Sequence, residues 1–229
     1  TPSLYQLFPS YEGATTDIDG KNVDMFDTKN VQASIVDSLA EFVRLYSVST
    51  RSNERRDRAL EILEEMLGNA KRHRANVERF RLSDAGIRRS NWLAIIGIGE
   101  RTRVQMTVNS TSYGPRFVID ETQFVNELSK QSDGIARTGD GTVPLAAAIP
   151  PFLPSTKPVC VKDSDLEFLE LRDRIMVGVG GLHGLLPRIN LVQRLVTKHL
   201  NPRYRGRVWG RRLPGAQSWN PPIEGLRER

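Results

Sequence analysis

Between Phe80 and Trp92 the chain changes its hydrophobic period, and that change constrains the fold more than any other feature of the sequence. Before it, apolar side chains recur at Val31, Ile35, Leu39, Phe42 and Tyr46, and again at Leu60, Leu63, Leu67 and Val77. This spacing keeps one face of a helix apolar. Arg55, Arg56, Arg58, Lys71, Arg72 and Arg74 fill the other side of the second run. Two helices, over about 30–46 and 53–80, are expected to form a hairpin. After the change, Trp92–Gly99 ("WLAIIGIG") is a short apolar run closed by glycine, which suits a strand buried on both faces of a parallel sheet. Val104, Met106 and Val108 alternate as a half-buried strand does, and Phe117-Val118-Ile119 is its candidate partner. Ile175–Val179 is a second buried-strand candidate, and a helix begins at Pro187 and runs through Ile189, Val192, Leu195, Val196 and His199. The turn-rich first thirty residues read as loop or lid, and the proline-dense stretch Pro150–Pro158 reads as loop.

With 229 residues, 38% hydrophobic and 26% charged, the chain can bury a sizeable core, and one large domain is the default. Its single cysteine, Cys160, excludes an internal disulfide and any multi-thiolate metal centre. Neither a metal nor a cofactor is expected. No apolar run approaches the roughly eighteen residues of a membrane helix. The opening Thr1-Pro2-Ser3-Leu4-Tyr5 lacks the layout of a signal peptide, so a cytoplasmic location is expected. The net charge of +6 is uneven: Arg203, Arg205, Arg207, Arg211 and Arg212 crowd beside Tyr204 and Trp209. Two readings fit this segment. It is a solvated tail whose arginines pair with acidic surface elsewhere, or a weak contact for nucleic acid or an anionic membrane.

Two residues carry the chemistry. Asp140 sits on a glycine-flanked turn, and His183 sits on a turn after a later strand candidate and before a helix. Taken singly, an Asp between glycines is a common turn residue and a His before a helix a common cap. Taken together, they match two parts of a hydrolase triad. There an aspartate accepts from imidazole Nδ1–H while the other ring nitrogen takes the nucleophile's proton. In α/β-hydrolases the acid precedes the histidine along the chain, as it does here. His73, among Lys71, Arg72 and Arg74, and His199, near the end of the last helix, do not fit that role.

Gly139–Pro144 ("GDGTVP") resembles the acid-turn motif of the lecithin:cholesterol acyltransferase-like α/β-hydrolases. Further matches occur in the family's order over most of residues 1–200. "PSLYQLFP" (Pro2–Pro9) is similar to the segment after the nucleophile elbow, and "DMFDTKNV" resembles the turn that follows. "IIGIGERT" (Ile95–Thr102) resembles a Gly-x-Gly-x-x-Thr strand end, and "LHGLLPRIN", with His183 and Asn190, resembles the histidine segment.

The resemblance implies an α/β fold: the C-terminal portion of an α/β-hydrolase, with parallel strands and flanking helices, plus a helical cap. Residues 1–90 would be post-elbow loop and cap, 91–200 the half-core carrying Asp140 and His183, and 201–229 a basic Pro/Arg-rich tail. Asp140 would orient His183 as general base in a serine esterase, lipase or acyltransferase acting on a lipid or other ester. The family's Gly-x-Ser-x-Gly elbow is absent, since no serine from Ser3 to Ser218 has glycine on both sides at the required spacing. Ser110 and Ser112 follow the wrong strand. The nucleophile is therefore expected upstream of Thr1, in the N-terminal half of a longer polypeptide or in another protein chain. The alternative is a catalytically inactive binding or scaffold module within a larger assembly.

Overall fold

A computed structural model of the protein describes residues 5, 8, 10–46, 51–118, 139–166, 173, 175–176 and 181–229. In chain order the first elements are β1 (Thr15–Thr16), α1 (Ala33–Tyr46), α2 (Ser52–Arg79), β2 (Ile95–Gly97), β3 (Met106–Thr111) and β4 (Gly114–Val118). They are followed by α3 (Leu145–Ala148), β5 (Val159–Val161), α4 (Leu182–Leu185), α5 (Asn190–Leu200), β6 (Trp209–Gly210) and β7 (Arg227–Glu228). The fold is mixed α/β with small sheets that include parallel strand pairs. It divides into two compact units, 1–79 with 105–120 and 80–104 with 121–229. Among the described residues no helix is long and apolar enough to cross a membrane.

In the first unit, α2 buries Ala59, Leu63, Leu67 and Ala70, one stripe at helical spacing. The stripe packs with Val31, Val36 and Tyr5, flanked by Phe8, Phe26, Ile35 and Leu39. Its charged face is laced by short-range pairs such as Arg58 to Glu61, 2.7 Å. Lys71 reaches Asp24 at 2.6 Å and ties the preceding loop to α2. The helical expectation holds for both elements, but Phe42 and Tyr46 are exposed, their rings tilted against each other with centroids 4.7 Å apart. Val36 and Val43 are the buried residues of α1. Its apolar positions span more than one face, and one line of them is covered.

The hairpin β3–β4 pairs Val108 with Phe117 and Thr107 with Val118, as the alternation suggests, and turns through Ser112 and Tyr113. Ile119 lies outside the described residues. On its other edge β3 runs parallel to β1, with Thr15 opposite Met106. This hairpin falls within 91–200 in sequence, yet it groups with the first unit.

In the second unit β2 runs parallel to β5, with Ile95, Ile96 and Gly97 opposite Val159, Cys160 and Val161. All three β5 residues are fully buried. Val159 and Val161 join a cluster with Leu182, Ile189, Leu191 and Leu195. Cys160 joins Ile96, Ile98, Leu145 and Leu213 in another. The pair is therefore covered on both faces, which is why its residues form continuous apolar runs.

Two expectations are corrected here. Asp173, Ile175 and Met176 are helical, and Ile175 is exposed, so the strand candidate does not begin at Ile175; residues 177–179 lie outside the described residues. A short apolar run fits a helix turn as well as a strand, and periodicity cannot separate them. The partner of β2 is β5, directly after the proline-rich loop.

The segment 201–229 is not simply a solvated tail. Val208, Trp209, Leu213 and Ile223 are buried. Arg211 exchanges two backbone hydrogen bonds with Cys160, covering the free edge of β5. Its guanidinium donates to the fully buried Asp165, with Nη2 to Oδ1 at 2.6 Å and Nε to Oδ2 at 3.0 Å. The Trp209 indole N–H donates to the Asp165 carbonyl at 2.9 Å.

Candidate active site

The site is built at the glycine end of β2. Past Gly97 the chain turns at Gly99, whose φ of +92° an L side chain rarely adopts. It then pairs Glu100 with Gly139, the Glu100 N–H donating to the Gly139 carbonyl at 3.1 Å. Thr102, 1% exposed, clamps the incoming turn. Its Oγ1 accepts the N–H of Gly139 at 3.0 Å and of Gly141 at 2.8 Å, while its own hydroxyl donates to the Glu100 carbonyl at 3.1 Å.

Asp140 sits between those two amides. Its Oδ1 accepts from the N–H of Thr142 at 3.1 Å and of Val143 at 2.8 Å, so the carboxylate organises its own loop. The turn is too tight for any residue but glycine at 139, where a Cβ would fall 1.7 Å from the Val143 carbonyl oxygen. Pro144 then leads into α3, and Leu145 anchors the far side in the core.

Oδ2 of Asp140 remains, and it lies 2.8 Å from Nδ1 of His183. A second contact fixes the pair, because the His183 backbone N–H donates to the Asp140 carbonyl at 3.1 Å. His183 is carried on α4 beside Leu182, which is fully buried and lies against Gly97. The two expected site residues are thus brought together by an acid turn on one side and a buried leucine on the other.

The pair is asymmetric. The Asp140 side chain is 11% exposed and that of His183 48% exposed. A carboxylate can only accept, so this contact calls for the proton on Nδ1, and a neutral ring then carries its lone pair on Nε2. Nε2 makes no hydrogen bond among the described residues. Held in one tautomer, with its other nitrogen on a half-exposed edge, the imidazole is equipped to accept a proton from an incoming hydroxyl.

The other candidates are placed elsewhere. His199 is tied through Nδ1 to the Pro222 carbonyl at 2.9 Å, and His73 stands exposed on α2. Ser112 is at the β3–β4 hairpin turn of the first unit. Cys160 is no substitute nucleophile, because burial, reinforced by Asp165, pushes its thiol up to about 12. Among the described residues no cluster of His, Cys, Asp and Glu is placed to hold a metal ion. Burial, and secondarily Asp163, raises the Glu100 carboxyl beside Gly141.

Sequence reasoning assigned no roles to Thr102, Gly97 or Leu182. For Gly97 and Thr102 the signal was the glycine-ended strand with a following hydroxyl in "IIGIGERT". Comparison with protein-family models, curated proteins and solved structures gives no match.

Proposed function

We propose that this chain is the acid-and-histidine portion of a serine esterase, lipase or acyltransferase of the α/β-hydrolase type. The observation that supports it best is the 2.8 Å contact from His183 Nδ1 to a carboxylate whose other oxygen is already bound by two amides. Those two amides restrain the acid, which favours one tautomer and one ring orientation of His183.

The chemistry follows from that arrangement. Nε2 takes the proton of a serine hydroxyl as the serine oxygen attacks an ester carbonyl, and Asp140 stabilises the resulting imidazolium. The imidazolium returns the proton to the departing alkoxide, leaving an acyl-serine. Water or an acceptor alcohol, deprotonated by the same nitrogen, then releases the acyl group by hydrolysis or transfer. The serine comes from outside residues 1–229, in a Gly-x-Ser-x-Gly elbow. The order of quoted motifs, from "PSLYQLFP" to "LHGLLPRIN", supports the lecithin:cholesterol acyltransferase-like assignment and a lipid ester as substrate.

The test is ester hydrolysis by the polypeptide at its native length, with p-nitrophenyl esters as substrates. Asp140→Asn is expected to lower kcat on the order of 10⁴-fold, and His183→Ala at least as far. Both variants should keep the wild-type circular dichroism spectrum. Wild-type activity in either variant contradicts the assignment, and an inert wild-type protein favours a binding or scaffold module.

A further inference from the structure

The arginine-rich segment does more than brace Asp165. Residues of 198–229 enclose an open cavity of about 760 Å³. Arg203, Arg205, Arg207 and Arg227 line it, and Glu224 and Glu228 are its carboxylates. One of those carboxylates is taken, since Glu228 pairs with Arg212 at 2.8 Å. Lys198 is also occupied, its ammonium donating to the carbonyls of Pro202 and Tyr204 at 2.8 and 2.9 Å. The side chains of Arg203, Arg205, Arg207 and Arg227 make no hydrogen bond or ion pair among the described residues. A concavity in which basic side chains outnumber carboxylates concentrates anions, and free guanidinium forks bind phosphate oxygens bidentately.

The walls also favour one kind of anion over another. Bases of a single-stranded nucleic acid need an open aromatic face. Trp209 is buried, with Arg194 and Arg229 at 5.2 and 4.9 Å from its ring centroid. The Tyr204 phenol lies against Gly206, where a Cβ would stand 2.1 Å from its hydroxyl oxygen. Charge without stacking, in a bounded volume, fits a compact polyanion better than an extended one.

We propose that this cavity binds a compact, multiply charged phosphate group, of the kind presented by a free diphosphate or by a bisphosphorylated lipid headgroup. The site is independent of the Asp140–His183 pair.

Calorimetric titration with inorganic pyrophosphate at fixed ionic strength tests it. One saturable site is expected, weakened about tenfold or more in Arg203→Ala/Arg205→Ala/Arg207→Ala. The control Arg58→Ala/Arg72→Ala/Arg79→Ala removes equal charge from the exposed face of α2 and should bind within about twofold of wild type. Replacing the three cavity arginines by lysine keeps the charge and loses the forks, so its affinity should fall between the two. Vesicles of phosphatidylcholine with a phosphoinositide bisphosphate then separate the sources. Co-sedimentation that pyrophosphate abolishes assigns a headgroup, and its absence assigns a soluble phosphate. No saturable binding, equal losses in the cavity and control variants, or preferential binding of a single-stranded RNA oligonucleotide would each overturn the proposal.

Discussion

A methyl group on Gly97 would stand 2.7 Å from Cβ of Asp140, closer than real side chains approach. The last residue of β2 and the acid turn are therefore in direct contact, and the turn's position is set by the absence of a side chain. Leu182 would crowd the same methyl at 3.0 Å, so strand, acid turn and histidine helix meet at one point. Gly97→Ala should cost about 1–3 kcal/mol in chemical denaturation and lower ester hydrolysis more than that loss alone accounts for. Unchanged stability and rate would show that the three elements yield freely.

Thr102 supplies the clamp. Removing its buried hydroxyl in Thr102→Val strands the buried Gly139 N–H, and a loss of about 1–3 kcal/mol is expected by denaturant titration. Thr102→Ser keeps the acceptor and should recover most of it. Equal losses in both variants would point to packing of the methyl instead.

Glu100 gives a pH signature. Its carboxyl is raised in the folded protein from a usual value of 4.5, so the fold favours the protonated form. That contribution is fully present below about pH 4.5 and is lost as pH rises through the raised folded value. Glu100→Gln should therefore raise Tm relative to wild type at pH 7, with the gap closing at pH 4. A gap that is constant across that range would contradict the shift.

The partly exposed guanidinium of Arg211 and the fully buried carboxylate of Asp165 form the ion pair that fastens the C-terminal segment beside β5. Arg211→Met leaves a fully buried carboxylate without its cation and should cost about 3–5 kcal/mol in equilibrium unfolding. The double variant Arg211→Met/Asp165→Leu should recover part of this, because it removes the orphaned charge along with the pair. A neutral single variant would mean that the buried apolar side chains and the backbone pairing with Cys160 suffice to hold the segment.

How much of this was legible follows from what each interaction reveals along the chain. The recurrence of Leu60, Leu63, Leu67 and Val77 located α2, but the line that turns inward is Ala59, Leu63, Leu67 and Ala70, and Leu60 is exposed. The β2 run could be read because burial on both faces leaves no polar residue in it. β5 could not, since three residues behind a proline-rich loop are too few to display a period. Asp140 and His183 were singled out by turn chemistry, by chain order and by the resemblance of "GDGTVP" to an acid-turn motif, and their contact is what the structure adds. The hydroxyl of Thr102 was missed because its two acceptor contacts come from amides 37 and 39 residues away. Arg211 looks like Arg203 or Arg205 in sequence, and only Asp165, 46 residues distant, distinguishes it.

The most direct test of the central claim is covalent labelling of the native-length polypeptide with a fluorophosphonate, followed by peptide mapping. The account predicts one modified serine, in a Gly-x-Ser-x-Gly sequence, with labelling lost in His183→Ala and strongly slowed in Asp140→Asn. No modified serine in the wild type, or labelling that His183→Ala leaves undiminished, would contradict it.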